Sequence, residues 1–377
     1  MTLAELIARR RILVCVGSGG VGKTTTAAAI GVAAARSGRR TIVLTVDPAQ
    51  RLKDALGIGT LDGKPRRVPL GRGTHLDAML LDVKRTFDEL VRGLATTPDQ
   101  AARVLENRLY QNLSTTLAGT AEYMAIETVQ RLVDENRHDL LVVDTPPARH
   151  AVDFLDAPRR LLALLDSRAF SILKDPTSIL GGAGSRIAHL ILGGVLRGLE
   201  RFTGLGLVGE IGEFIGAIEA LTAALRSRVA QTQALIRSDA TSLVLVTAPE
   251  PRLTTETAAL ATALGRVGLR IDGVVVNRAL PQALFGADVA VPPLPVDVGA
   301  QLEGRLRRSF ENLRTLAARE RATLAPLLAT ARAPIVAEVP LMPSAPAALD
   351  ELEALGRHLT PGMAAPGTEP SRGQGRA

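Results

Sequence analysis

A glycine-rich stretch near the start of the chain carries the residues with the clearest chemical potential. Residues 17–24 read Gly-Ser-Gly-Gly-Val-Gly-Lys-Thr and complete the pattern G-x-x-x-x-G-K-[ST], between an apolar segment and a Thr/Ala-rich segment of helical composition. Backbone N–H groups of such a loop can turn inward around phosphate oxygens, while the following helix points its positive end at them. Lys23 can reach the β and γ oxygens, and Thr24 offers a hydroxyl for Mg²⁺. The stretch therefore predicts a nucleotide-binding phosphate loop.

Two aspartates at the ends of apolar segments are the next candidates. Asp144 follows Leu-Leu-Val-Val, and Asp47 closes a β-branched segment. Because parallel strands deliver their carboxyl ends to the ligand edge of an α/β sheet, we expect both carboxylates beside the loop. Asp144 would hold Mg²⁺ directly or through its waters, and Asp47 would orient or deprotonate the water that attacks the γ-phosphate. The alternative for each is an N-cap or a solvated turn residue.

The elements that must position these residues follow a strand–helix–strand order. A strand at 11–16, the loop, a helix from about 24 to 37 and a strand at 40–46 form a unit whose right-handed crossover makes the strands parallel. Asn277 ends another predicted strand, where its amide could bond a base edge or simply cap a turn. Further strands are predicted at 76–82, 140–144, 242–247, 271–277 and 333–339. The order predicts an α/β fold with a doubly wound, mostly parallel sheet.

Helical and irregular segments interrupt this sheet pattern. Residues 57–73 are loop-like, and about 83–137 is predicted helical. At 170–240 the strand pattern disappears, and glycines mix with apolar residues at helical spacing, which predicts an inserted helical, apolar subdomain. The core would then comprise residues 1–169 and 241–360, and the Gly- and Pro-rich tail at 361–377 is predicted to be disordered.

Composition narrows the classes of function. The formal charge is +7, from 45 Lys+Arg and 38 Asp+Glu, but the arginines are scattered and only 2% of residues are aromatic. We therefore expect no nucleic-acid partner, since neither stacking rings nor a clustered basic surface is evident. Cys15 is the one cysteine, so a disulfide or a Cys-x-x-Cys clip within the chain is excluded, which fits the cytoplasm. No signal or membrane-spanning segment is predicted, although a peripheral membrane position stays open.

Several of these motifs resemble those of one known family. Residues 17–25, 47–52, 144–150, 249–250, 275–277 and 339–343 stand in the order and spacing of the ArsA family, the arsenite-pump and guided-entry (tail-anchored protein targeting) ATPases. The resemblance covers nearly the whole chain up to about Leu359 and is strongest to the actinobacterial type. It implies a P-loop NTPase fold with a deviant Walker A loop, and a dimer that sandwiches two ATP molecules, closes on ATP and opens after hydrolysis.

The resemblance also implies roles for individual residues. Asp47 would be the catalytic aspartate of switch I, and residues 144–150 would form switch II. Asn277, Pro340 and Leu341 would surround the adenine, and Glu250 would approach the neighbouring subunit's nucleotide. The phosphates and Mg²⁺ would be held by Gly19, Gly20, Val21, Gly22, Lys23, Thr24 and Thr25.

One departure from the family pattern concerns Ser18. The family carries a second lysine directly after the first glycine of the loop, and that lysine crosses the dimer interface to the partner's phosphates. Ser18 cannot supply this charge, and by analogy with other charge-stabilising groups its loss should cost about 10² or more in rate. The hypothesis is a homodimer lacking both crossing lysines or, better, a heterodimer with a paralogue that retains one.

Two function classes therefore stay open. The first is an ATP-hydrolysing dimeric switch that captures and releases a protein or membrane-associated client, with residues 170–240 forming either an apolar client groove or an ordinary buried helical subdomain. The second is a regulatory or structural subunit that hydrolyses ATP weakly. An arsenite pump is disfavoured because the arsenite-binding cysteines are missing.

Overall fold

The computed structural model describes residues 1–47, 49, 51–71, 73–107, 111, 120–166, 207–290, 299–342, 346 and 348–363. The predicted insert at 170–240 lies partly outside them, and the predicted tail lies almost entirely outside. The chain divides into two compact units. One comprises Met1–Leu81, Leu132–Val152 and Ser238–Ala377, and the other comprises Asp82–Arg131 and Asp153–Arg237.

Strands and helices alternate along most of the described chain. The strands are β1 Ile12–Gly17, β2 Thr41–Thr45, β3 Arg66–Gly71, β4 Thr74–Leu80, β5 Leu140–Asp144, β6 Thr241–Thr247, β7 Ile271–Ala279 and β8 Ile335–Pro340. The described helices are α1 Leu3–Arg9, α2 Lys23–Arg36, α3 Arg51–Ala55, α4 Val83–Leu94, α5 Pro98–Leu105, α6 Thr120–Glu135, α7 Ala148–Leu165, α8 Leu207–Arg237, α9 Pro251–Arg266, α10 Gln282–Phe285, α11 Ala300–Ala331 and α12 Leu349–Leu359. None of them combines the length and the apolar content that a bilayer-spanning segment needs.

One sheet organises the first unit. Its eight strands lie in the order β3-β4-β2-β5-β1-β6-β7-β8, and every pair is parallel except β3 with β4. The strand β1 lies inside the sheet, and all six of its residues are buried, as are all residues of β2, β5 and β6. Continuous apolar runs of this kind belong to parallel strands covered on both faces. The α/β, doubly wound, mostly parallel fold is thereby confirmed.

The main difference from the predicted elements is the edge strand β3, which falls within residues predicted as loop-like. Only Val68 and Leu70 of this strand are buried, and Pro69 stands between them. Proline is tolerated at a sheet edge because no ladder bond is needed there on the outer side. Two apolar side chains separated by a proline are too weak a pattern to distinguish an edge strand from a loop.

The helical unit has a polar contact inside its packing. Tyr123 and Glu127 on α6 are buried, and Arg228 of α8 lies 2.6 Å from the Glu127 carboxylate. Burial raises the pKa of Tyr123, and the neighbouring Glu127 charge acts in the same direction. The unit is thus held by an ion pair as well as by the apolar cluster around Leu90, Met124 and Val229.

A buried histidine–carboxylate pair joins β4 to the segment before β5. His138 is 5% exposed, and its Nε2 lies 2.9 Å from Asp77 Oδ2. The hydrogen bond from His138 holds the pKa of Asp77 below its ordinary value. Breaking such a pair leaves a partly buried carboxylate without its partner.

We expect His138→Ala to lower the free energy of unfolding by about 1–3 kcal/mol at neutral pH. The folded pKa of Asp77 lies below its unfolded value, so this contribution is complete above an unfolded pKa of about 4 and is lost as the pH falls through the folded pKa. Denaturant unfolding at several pH values measures the effect. His358→Ala removes an exposed histidine and serves as the control; an equal loss in both variants contradicts the prediction.

Candidate active site

The phosphate loop lies between β1 and α2 and depends on two close approaches. A Cβ at Gly17 would stand 2.2 Å from the carbonyl oxygen of Val246 on β6, and one at Gly22 would stand 2.3 Å from Asn277 Nδ2 on β7. Gly20 and Gly22 also have φ values of 82° and 88°, in the left-handed region. Space therefore requires glycine at position 17, the positive φ requires it at position 20, and both constraints apply at Gly22.

Lys23 closes the loop from within. Its Nζ donates to the carbonyl oxygen of Ser18 at 2.8 Å, and the residue is 8% exposed. Burial lowers the pKa of Lys23, and the nearby Asp144 charge acts in the opposite direction. The Lys23 ammonium therefore lies inside the loop, next to the backbone that would surround a bound phosphate.

Asp144 is fully buried at the end of β5. Its Oδ2 accepts hydrogen bonds from Thr24 Oγ1 at 2.8 Å and from Thr45 Oγ1 at 2.9 Å. Burial raises the pKa of Asp144 to about 6, against the opposing effect of these two hydroxyls. The second oxygen, Oδ1, accepts no hydrogen bond from a described residue. A buried carboxylate with one open oxygen is costly unless another group neutralises it.

The oxygen atoms of Thr24 and Asp144 suit Mg²⁺. Magnesium takes hard oxygen ligands and is usually held by one or two carboxylates together with substrate phosphates and waters. Thr24 Oγ1 and the open Asp144 oxygen are ligands of that kind. The described residues contain no group of three or more His, Cys, Asp or Glu side chains that could hold a metal ion. Thr24 and Asp144 fit Mg²⁺ as two oxygen ligands.

Asp47 lies just beyond β2 and is oriented by its own turn. Its Oδ1 accepts from the Ala49 N–H at 2.9 Å, and its Oδ2 lies 3.7 Å from Arg51 Nε. The Asp47 N–H donates to Thr45 Oγ1 at 3.2 Å, so Thr45 bridges Asp47 and Asp144. Thr45 is absent from the predicted site residues. A hydroxyl inside an apolar strand, two residues before a candidate aspartate, was the available signal.

Asn277 contacts the loop directly. Its Nδ2 donates to the Val21 carbonyl oxygen at 2.9 Å, and its Oδ1 accepts the Arg278 N–H at 3.0 Å. Both ends of the amide are therefore engaged within the chain, and β7 continues past Asn277 to Ala279. The structure brings Asn277 together with the loop, but its proposed contact with a base stays a prediction.

The remaining predicted residues lie elsewhere along the same edge of the sheet. Glu250 is exposed and precedes α9 after the end of β6, without a side-chain capping bond. Pro340 ends β8, and Leu341 beyond it is 68% exposed. Among the described residues, no hydrogen bond joins these three side chains to the loop. Gly19 and Gly20 are exposed, while Thr25 is half-buried in the first turn of α2.

Ser18 points into the chain. It is fully buried, and its Oγ lies 3.1 Å from Thr257 Oγ1 on α9. Thr257 donates to the Leu253 carbonyl oxygen at 2.6 Å, so Ser18 is the donor to Thr257. Thr247 at the end of β6 lies 3.5 Å from the same hydroxyl. This buried hydroxyl cluster ties the loop to α9, and Thr257 carried no recognisable signal in the sequence because it lies 239 residues from Ser18.

A family comparison agrees with this geometry. The model of the ArsA family of anion-transporting ATPases matches residues 10–286, which include the loop, Asp47, Asp144 and Asn277. The chain belongs to this family. The resemblance inferred from the motifs is thereby confirmed.

Proteins of several other organisms are similar to parts of this chain. A Streptomyces coelicolor protein, SCO2128, is 31% identical over 72% of the chain, and a putative arsenical pump-driving ATPase of Aquifex aeolicus is 26% identical over 73%. The ATPase get3 of Aspergillus terreus is 32% identical over 45%. The matched parts span 63%, 65% and 50% of those three relatives.

Alanine variants of the loop glycines separate the cost of a steric collision from the cost of backbone strain in the free energy of unfolding. Without nucleotide, we expect Gly22→Ala to lower the free energy of unfolding by about 2–4 kcal/mol, because strain and the Asn277 collision add. Gly20→Ala, which meets no atom within 4 Å but has a positive φ, should cost about 1 kcal/mol. Gly19→Ala has neither problem and is the matched control. Urea unfolding of the three variants measures the order; equal losses at Gly19 and Gly22 contradict it.

Proposed function

We propose that this chain is a Mg-ATP-dependent ATPase that hydrolyses ATP to ADP and phosphate. The observation that carries the proposal is a continuous line of hydrogen bonds from Thr24 through Asp144 and Thr45 to Asp47, beside the buried Lys23. This line joins the group that would hold a metal to the group that would face the attacking water. Membership of the ATPase family supports the same conclusion.

Binding would rest on the loop and the start of α2. The backbone N–H groups from Gly19 to Gly22 and the positive end of α2 would hold the phosphates, with Thr25 in the first turn. The Lys23 ammonium would leave the Ser18 carbonyl and bond the β and γ oxygens. Thr24 and Asp144 would hold Mg²⁺, which neutralises charge that develops on the phosphates.

Asp47 would act on the water. Its carboxylate would orient the attacking water toward the γ-phosphorus and accept a proton from it as the bond to the leaving ADP oxygen breaks. The Thr45 hydroxyl bonds both the Asp144 carboxylate and the Asp47 N–H. A shift of the Asp144 side chain on metal binding would therefore alter the position of Asp47 through this one hydroxyl. General-base contributions of this kind are worth about 10²–10⁴ in rate.

We expect Asp47→Asn to bind Mg-ATP with little change in affinity but to hydrolyse it at least about 10² times more slowly. Lys23→Ala should lose binding itself, because it removes the buried ammonium that lies against the loop backbone. Isothermal titration with ATP and a phosphate-release assay separate the two effects. Asp54→Asn is the matched control, since Asp54 is 73% exposed; wild-type turnover by Asp47→Asn contradicts the proposal.

We further propose that the active form is a dimer completed by a lysine-bearing paralogue. The Ser18 hydroxyl is turned toward Thr257 inside its own chain, so it offers nothing to a partner's phosphates. A paralogue that keeps the lysine would donate it to the site of this chain, as the family pattern implies.

The expected result is slow phosphate release by this chain alone and a rise of about 10² when the paralogue is added. Steady-state rates of the chain, the paralogue and their mixture measure this, with the paralogue's lysine changed to alanine as the control. Full activity of the isolated chain contradicts the partnership but leaves the ATPase proposal intact.

The second candidate function is a regulatory subunit that binds ATP and turns it over weakly. The inward Ser18 favours it, whereas the assembled Thr24–Asp144–Thr45–Asp47 line favours catalysis. The two candidate functions are distinguished by mixtures in which the paralogue alone has its counterpart of Asp47 changed to asparagine. Any turnover must then come from this chain. Capture of an apolar client by residues 170–240 completes the proposed switch and rests on the family resemblance alone.

A further inference from the structure

Exposed apolar side chains concentrate on two neighbouring helices far from the loop in sequence. Of the large hydrophobic residues that are exposed in the described part of the chain, five lie on α10 and α11, and the others are Met1 and Leu341. The five are Leu284, Leu302, Leu306, Leu313 and Leu316, with exposed fractions of 36–58%. Scattered exposed leucines are ordinary, but clustering of this kind marks an interaction site.

The exposed leucines continue a face that is buried further along the same helix. Leu306, Leu313, Ala317 and Leu324 recur at spacings of seven, four and seven residues, which places them on one face of α11. From Ala317 onward this face is buried, with Ala317 at 1% and Leu324 at 3% exposure, where the helix packs on α9 and β7. The apolar face of α11 therefore extends beyond the part that its own unit covers.

The spacing of the exposed leucines suits another helix. Leu302, Leu306, Leu313 and Leu316, here called the leucine seam, follow each other at intervals of four, seven and three residues. This is the a/d pattern by which two helices pack knobs into holes. The seam spans 15 residues, or about 21 Å of helix at 1.5 Å per residue. Helices that enter a lipid surface present a wide, aromatic-rich apolar face. Helix α11 does not, because its Phe310 ring packs on Phe285.

Charges beside the leucine seam specify the partner. Arg307 and Arg314 are paired within the helix, to Glu303 at 2.9 Å and Glu311 at 3.3 Å. Arg305 and Arg319 occupy g positions beside the seam; both are exposed, and neither forms an ion pair with a described residue. Two unpaired cations on the same flank of the seam favour a partner with acidic residues there and disfavour a second copy packed antiparallel, which would bring the same cations together.

We propose that the leucine seam of α11 binds a helix of a partner protein that carries apolar residues at a/d spacing and acidic residues beside them. Such a helix buries the leucines and pairs with Arg305 and Arg319 at the same time. Helix-in-groove recognition supplies affinity from the apolar anchors and selectivity from the flanking charges.

The test uses the full chain and a fluorescein-labelled synthetic peptide of four heptads, with Leu at a and d and Glu at e and g. We expect saturable binding by fluorescence anisotropy, with the double variant Leu306→Ser/Leu313→Ser at least about tenfold weaker. The matched control is Ala318→Ser/Ala322→Ser, which changes exposed residues of the same helix away from the seam. A peptide with Lys in place of Glu should bind at least about tenfold more weakly than the acidic one.

Arg305→Glu/Arg319→Glu provides a second test that leaves the apolar seam intact. It should invert the preference, so that the lysine peptide binds better than the glutamate peptide. Equal binding of both peptides by the wild-type chain overturns the proposal, as does binding that survives the leucine substitutions. Sedimentation that shows wild-type dimers lost in Leu306→Ser/Leu313→Ser assigns the seam to a second copy. Binding to phosphatidylserine vesicles that depends on the same leucines assigns it to a membrane surface.

Discussion

The arrangement of the candidate site depends on one buried carboxylate. Asp144 has no access to water, so its charge must be stabilised by neighbouring dipoles or by a cation. Thr24 from α2 and Thr45 from β2 both donate to one of its oxygens, which fixes the start of the helix and the end of the strand relative to β5. The other oxygen stays open, and that asymmetry makes the position suitable for a metal brought by a phosphate. The pKa of about 6 reflects how incompletely two hydroxyls replace water.

The loop is held by two strands on one side of β1, β6 and β7. Val246 on β6 leaves no room for a side chain at Gly17, and Asn277 on β7 leaves none at Gly22 while donating to Val21. The buried hydroxyls of Ser18 and Thr257 add a link to α9. Strands β6 and β7, which lie on the same side of β1, therefore constrain the same few residues, and the backbone cradle exists before any phosphate is bound. Preorganisation of this kind avoids an ordering cost when the ligand enters.

Short-range patterns predicted a large part of this architecture. Strand β5 lies where Leu-Leu-Val-Val-Asp placed it, because a short apolar run that ends in a carboxylate is typical of a parallel strand buried on both faces. Strand β3 was not predicted, because an edge strand buries few side chains and can contain a proline, here Pro69. Thr257 was not predicted because its contact with Ser18, 239 residues away, leaves no mark in the local sequence. The hydroxyl of Thr45 did offer a local signal, since it lies inside an apolar strand two residues before Asp47. Asn277 was predicted as a site residue, but its bond to Val21 spans 256 residues and depends on the place of β7 in the sheet, two strands from β1.

By itself the sequence determined the kind of chemistry: a glycine-rich loop with Lys23 and Thr24, aspartates at strand ends, and a parallel α/β sheet to carry them. These follow from residue types and local spacing, which the backbone translates directly into turns, strands and helix starts. Only the tertiary structure decided which hydroxyls share Asp144, that Ser18 faces inward to Thr257, and that α11 leaves part of its apolar face exposed. Each of these depends on contacts between segments far apart in the chain, and such contacts are set by packing rather than by local preference.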